Sequence, residues 1–260
     1  SPYCSAKILD SLFNESDLNI KAVITQPDKR GKRGNKLIES AVATKARSLN
    51  IRTLKPLNLN SEVLKSTLLS LNVEFLIVVA YGKLIPNWLL DLPKISPINV
   101  HFSILPKYRG ASPIQSAILN GDSKSGISII KINNELDSGD IYSTFEQNIK
   151  ENDDKISLEK KLTKLCTKNL FNVLKKIKAG KLNASTQDHT KATYCKKILK
   201  HKSEVSFNEK SRSIVNKFKA YIEWPGINFR YKNKVIKIHK IEKTDEDSSD
   251  KPGTIHRVDK

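Results

Sequence analysis

Apolar residues follow two rhythms along this chain. Residues 75–80 (Phe-Leu-Ile-Val-Val-Ala) form an unbroken apolar run rich in β-branched side chains, the pattern of a strand buried on both faces. A shorter run occupies 95–100, and further strands are expected at 20–25, 126–132 and 140–145. Between them the spacing becomes helical, predicting helices at 5–13, 41–48, 61–71, 87–90, 112–119 and 158–177. Gly and Pro punctuate a loop at 26–36 and a turn at Tyr81-Gly82. Such alternation of strand and helix predicts an α/β fold with a largely parallel sheet, its first unit closing near residue 180. The pattern weakens at 179–190, which reads as a linker. A helix at 211–221 and short strands at 228–231 and 235–241 follow, and an acidic, serine-containing loop at 245–250 precedes Pro252-Gly253. The end of the chain therefore reads as the opening of a small β unit.

The segment Asn99 to Gly110 reads Asn-Val-His-Phe-Ser-Ile-Leu-Pro-Lys-Tyr-Arg-Gly. Side chains alternate along a strand, so Asn99 and His101 share one side while Val100 faces the other. That sets an amide and an imidazole together at the carboxyl end of a parallel strand, where open α/β sheets build their sites. The amide can donate to an oxyanion, and the imidazole can move a proton near neutral pH. A histidine at a strand end is more often structural than catalytic. Asn99 shifts the balance, because a buried amide needs several hydrogen bonds. Pro106 and Gly110 fix the following loop, which suits either a shaped pocket or merely a shaped turn.

A second polar segment is Glu135-Leu136-Asp137-Ser138-Gly139-Asp140. Its spacing alone favours a plain hairpin turn. Alternatively, Asp137 reaches His101 and stabilises its protonated form, with Asp140 capping the turn.

The loop Lys29-Arg30-Gly31-Lys32-Arg33-Gly34-Asn35-Lys36 holds five cations in eight residues. It is either a solvated loop or a mobile phosphate contact. Its glycine spacing excludes a Walker-type phosphate loop, and no dinucleotide fingerprint occurs. Tyr221, Trp224 and Phe229 cluster around Trp224-Pro225-Gly226, with core packing as the default explanation.

Composition narrows the class. Lys and Arg total 46 against 27 Asp and Glu, a net charge of +19. That excess fits an anionic partner such as nucleic acid, or compositional drift, and charge alone does not separate the two. No apolar run reaches the ~18 residues that span a bilayer. The first residues lack the basic region and long apolar stretch of a secretory leader. Cys4, Cys166 and Cys195 are odd in number and widely spaced, so a reduced, cytoplasmic setting is expected and no metal site. With no methionine, a start at Ser1-Pro2-Tyr3 and a helix expected already from residue 5, the chain reads as a fragment with a strand expected upstream.

Asn99-Val100-His101, Ser103-Ile104-Leu105-Pro106 and Leu136-Asp137-Ser138-Gly139-Asp140 resemble the signature of the folate-dependent formyltransferases. Thr25-Gln26-Pro27-Asp28 with the basic loop, Arg109-Gly110-Ala111-Ser112-Pro113-Ile114-Gln115, and Trp224-Pro225-Gly226 are similar to the branch that formylates methionyl-tRNA. The resemblance runs over nearly the whole chain. It implies a Rossmann-like catalytic domain at 1–180, a linker at 181–202, and a partial oligonucleotide-binding-barrel domain that contacts tRNA at 203–260. It implies formyl transfer from 10-formyltetrahydrofolate to the α-amine of initiator methionyl-tRNA, without a metal and in a monomer. It assigns catalysis to Asn99, His101 and Asp137, and folate binding to Ser103, Ile104, Leu105 and Pro106 together with Tyr81, Gly82 and Leu84. Contact with the tRNA falls to Lys29, Arg30, Lys32, Arg33 and Lys36. Ile104-Leu105 stands where the family usually has Leu-Leu, and the family's first strand and last barrel strands are missing. Rival readings are a formyltransferase acting on glycinamide ribonucleotide or an amino sugar, and a basic RNA-binding protein without catalysis.

Overall fold

A computed structural model describes residues 2–30, 37–244 and 249–255. In chain order, α1 (Tyr3–Phe13) leads to β1 (Val23–Ile24), β2 (Lys29–Arg30), β3 (Leu37–Ile38), α2 (Ala41–Ser48), β4 (Thr53–Leu54) and α3 (Glu62–Leu69). The central stretch is β5 (Phe75–Val79), α4 (Asn87–Leu90), β6 (Ser96–His101), β7 (Arg109–Gly110), α5 (Pro113–Leu119), β8 (Lys124–Lys131) and β9 (Ile141–Asn148). The last part holds α6 (Lys155–Lys178), β10 (Tyr194–Cys195), α7 (Ser211–Tyr221), β11 (Ile227–Tyr231) and β12 (Lys234–Ile238).

The parallel pairs among the described residues are β1 with β4 and β5 with β6, which form the Rossmann-like part, and the short β7 with β10. The larger sheet runs β5-β6-β8-β9, and its last two strands are antiparallel to their neighbours. For β9 the reason is its connection to β8. Residues 132–140 are too few for the crossover that parallel strands require, so β9 folds straight back on β8, while β8 itself enters antiparallel to β6. Around the basic loop the structure adds what the sequence pattern did not show. Lys29 and Arg30 pair with Ile38 and Leu37 in a short antiparallel ladder, and residues 31–36 between them lie outside the described residues.

The main core lies on one face of this sheet. Ile98 and Val100 of β6 and Ile127 and Ile129 of β8 are buried against α1, α5 and α6. α6 meets them along Leu158, Leu162, Cys166, Leu170 and Leu174, one residue per turn on a single stripe. Asp154 starts this helix with a capping box to Ser157, and Lys175, Lys176 and Lys178 complement the negative end of its dipole. Ile214, Ala220 and Tyr221 of α7 and Ile227 of β11 enter the same core. The elements beyond the expected linker therefore pack onto the α/β unit.

Between β1 and β5 lies a groove of about 870 Å³, lined by Ile8 and Leu12 of α1, the β5 residues, Phe171 and Leu174 of α6, and Tyr81. No helix among the described residues is long and apolar enough to cross a membrane.

Candidate active site

The end of β6 sets the first two side chains. Val100 is buried in the core, which turns Asn99 and His101 to the opposite side. β5 is parallel to β6, with Val79 opposite Val100. The loop that follows β5 therefore starts level with His101, and its first residue, Ala80, takes a left-handed φ of 46°. The loops after β5 and β6 thus flank the same edge, where parallel sheets place ligands.

Asp137 comes from the β8–β9 connection, and the three side chains converge. Asn99 Nδ2 donates to Asp137 Oδ1 at 3.2 Å. His101 Nδ1 lies 3.5 Å from Asp137 Oδ2. That second oxygen also accepts the backbone N–H of Gly110 at 2.8 Å. The His101 and Asp137 side chains are 6% and 13% exposed, so the charge sits in a largely dry site.

The other side of the histidine is set by the backbone. His101 Nε2 is 2.8 Å from the Tyr108 carbonyl, which can only accept, so Nε2 carries a proton. Nδ1 is left facing Asp137, ready to exchange a proton on the carboxylate side. Tyr108 makes this turn with a left-handed φ of 59°. Its phenol is anchored by donation to Asp122 at 2.7 Å and by the amide of Asn120 at 2.9 Å. Burial, and after it the Asp122 carboxylate, pushes that phenol up to about 12, so it stays a neutral donor.

β10 closes the site from behind. Arg109 N–H donates to Thr193 O and Ala111 N–H to Cys195 O. Burial raises the Cys195 thiol above its ordinary value, which keeps it from being a ready nucleophile.

Gly110 is where this contact is tightest. A Cβ there would lie 2.2 Å from Cys195 O, and its φ is 121°. Gly110→Ala is therefore expected to destabilise the protein by about 3 kcal/mol, from backbone strain and overpacking together. Thermal unfolding would show this as a loss of roughly 5–10 °C. An unchanged melting temperature would mean that β7 and β10 do not touch in this way.

The remaining expected residues are distributed around this centre. Ser103 and Ile104 line a cavity of about 290 Å³ with Lys107, Tyr108 and residues 122–125. Ser103 Oγ donates to Lys107 O, and Ser128 Oγ bridges Ser103 O and the Leu105 N–H, so the 103–106 turn is internally braced. Pro106 accepts the Thr193 N–H on its carbonyl. Tyr81 lies instead on the groove beside β5, with its carbonyl held by Gln26 Nε2 and its hydroxyl buried without a partner among the described residues. Gly82 is exposed, and Leu84 is 90% exposed. Lys29 and Arg30 are exposed on β2, while Lys32, Arg33 and Lys36 lie outside the described residues. Asp140 meets Lys131 through its backbone carbonyl. No cluster of His, Cys, Asp and Glu fit to hold a metal ion occurs among the described residues.

Comparison with known proteins matches residues 1–174 to the formyl transferase family and residues 197–260 to the formyl transferase C-terminal domain. A methionyl-tRNA formyltransferase of a Sulfurihydrogenibium species is 38% identical over 260 residues, covering all of this chain and 83% of that protein. The chain belongs to the methionyl-tRNA formyltransferase family. Relatives of the same name from Caldicellulosiruptor saccharolyticus and Thermotoga maritima are 41% and 35% identical, covering 93% and 100% of this chain and 78% and 82% of their own lengths. Among solved structures, the sugar 3N-formyl transferase WlaRD, with dTDP and 5-N-formyl-THF, has a TM-score of 0.66 at 20% identity, covering 91% of this chain and 81% of its own. An N-formyltransferase from Helicobacter canadensis in complex with folinic acid and dTDP-3-aminofucose has a TM-score of 0.65 at 18% identity, covering 91% and 82%. These two share the fold.

Asn99 and His101, which the resemblance assigns to catalysis, thus both meet Asp137. Sequence reasoning passed over Tyr108, Arg109, Gln187 and the N–H of Gly110. Tyr108, Arg109 and Gly110 all lie in the segment 99–110, where Gly110 was read as fixing the loop and Arg109-Gly110 carried part of the resemblance, but Tyr108 had no role of its own. Gln187 gave no signal.

Proposed function

We propose that this chain transfers a formyl group from 10-formyltetrahydrofolate to the α-amine of methionine on initiator tRNA. The observation that carries the reading is the convergence of Asn99, His101 and Asp137 at one edge of the sheet. The relatives at 35–41% identity supply the acceptor, and the whole chain's net charge of +19, with five cations at 29–36, fits a polyanion.

The roles follow from donor chemistry. One Asn99 amide hydrogen is committed to Asp137 Oδ1. The second is free to stabilise the negative charge that develops on the formyl oxygen when the amine attacks. Protonated His101, with Nδ1 facing Asp137 and Nε2 on the Tyr108 carbonyl, adds a positive charge beside that oxygen. Asp137 stabilises that cation and guides the proton from the attacking amine toward the departing folate nitrogen. The N–C bond to the amine forms as the C–N bond to folate breaks, so no enzyme nucleophile is required. The loop at 81–84 and the braced turn at 103–106 flank the same sheet edge and are the proposed folate contacts. The proposed setting is cytoplasmic, with the protein as a monomer, and with residues 1–180 as catalytic domain and 203–260 as tRNA-binding domain.

The deciding experiment supplies charged initiator tRNA and 10-formyltetrahydrofolate to the full-length protein. Formylmethionyl-tRNA is the expected product. Transfer only to an amino sugar or to glycinamide ribonucleotide, or none at all, would overturn the assignment.

A second measurement concerns the basic loop. Neutralising Lys32 and Arg33 together is expected to weaken tRNA binding and reduce the slope of log Kd against log salt by up to about 2, with folate KM unchanged. An unaltered slope would remove the loop from the phosphate contacts.

A further inference from the structure

Asp137 holds a left-handed φ of 50°, a conformation that a non-glycine residue rarely keeps unless its surroundings impose it. The surroundings come from far along the chain. Gln187, 4% exposed, donates its side-chain amide to Asp137 O at 2.9 Å and to Gly139 O at 2.7 Å. Both of its N–H donors are therefore spent on the backbone that carries the catalytic carboxylate.

The orientation of that amide is not free. Its Oε1 accepts Arg109 Nε at 3.1 Å and Arg109 Nη2 at 2.7 Å. Arg109 is 2% exposed. Its other partners are the Tyr194 hydroxyl at 3.4 Å and His189 Nδ1 at 3.2 Å. A buried guanidinium without its acceptors is costly, and none of these partners is a carboxylate. Arg109 therefore holds the amide oxygen toward itself and turns the two hydrogens toward residues 137–139. The next residue, Gly110, fixes the carboxylate through its N–H. The loop is also pinned beyond Asp137, where a Cβ on Gly139 would lie 1.8 Å from Lys131 O.

We propose that Gln187, locked by the buried Arg109, is a positioning residue that holds Asp137 in register with Asn99 and His101 during formyl transfer. The inference rests on the reading of function given above. Gln187 touches no reacting atom. It acts through the Asp137 backbone.

The test is Gln187→Glu in the full-length protein. That substitution keeps an oxygen for Arg109 and removes the amide donors to Asp137 and Gly139. Methionyl-tRNA formylation should show kcat lower by about 10- to 100-fold, the effect of misplacing a catalytic group by a fraction of an ångström to 1 Å. KM for each substrate should stay within about threefold, since neither binding surface is altered. In an Asp137→Asn background the same change should add less than about twofold, because its target has already been lost. A single-variant kcat within about twofold of wild type overturns the inference, as does a fully multiplicative loss in the double variant. If Gln187→Glu does not fold, Arg109→Lys, which keeps the cation but loses the two-pronged donation, carries the same kcat and KM expectation and the same grounds for rejection. An inactive wild type overturns the functional reading and this inference with it. An active wild type with an unaffected variant overturns the inference alone.

Discussion

Asp137→Asn should lower kcat for formyl transfer by about 10³-fold or more, the scale seen when a carboxylate that orients a catalytic histidine becomes an amide. The substitution is almost isosteric, so the loss would be chemical. The carboxylate faces three groups at once: Asn99 Nδ2, the Gly110 N–H and His101 Nδ1. An amide offers one acceptor oxygen, and its NH₂ would be driven against another donor. The protonated ring would also lose its counter-charge in a largely dry site. Single-turnover transfer to charged initiator tRNA measures the step directly. A loss smaller than about tenfold would remove Asp137 from the reaction.

Asn99→Ala is expected to lower kcat by about 10²–10³-fold, the ordinary effect of losing one oxyanion donor. KM for either substrate should change little, because the interaction forms as charge develops on the formyl oxygen. The variant also leaves Asp137 Oδ1 without its donor, so part of the loss could pass through the carboxylate. Combining the two substitutions separates these contributions. A double variant no worse than Asp137→Asn alone would mean that Asn99 works through Asp137, and a larger loss would give it a role of its own on the oxyanion. Turnover within about threefold of wild type would reject any such role for Asn99.

How far the site was legible in the chain depends on which atoms do the work. Asn99 and His101 could be read because strand alternation places both on one side and their side chains bear the chemistry. The helices expected at 41–48 and 211–221 correspond to Ala41–Ser48 and Ser211–Tyr221 for a similar reason, a clear apolar stripe between polar flanks. Asp137 was readable from the residues only as an alternative to a plain hairpin turn, and resemblance tipped the balance. The Tyr108 carbonyl and the Gly110 N–H belong to the backbone, and every residue has them. No composition or period marks which one will face a catalytic ring. Gln187 lies 50 residues beyond the loop it braces, in a stretch without regular structure, where local patterning carries no information about partners. The two-residue strands β2, β3 and β10 are too short to show alternation at all.

The β7–β10 pairing bears on how this protein can be taken apart. A catalytic fragment cut near residue 180, where the helical pattern ends, would retain Asn99, His101 and Asp137. It would lose the strand behind Arg109 and Gly110, together with Gln187. The strand that seals the Asn99–His101–Asp137 cluster is borrowed from chain beyond the end of α6. Dissection at that point would yield a fragment with all three side chains around a slack, solvent-flooded centre.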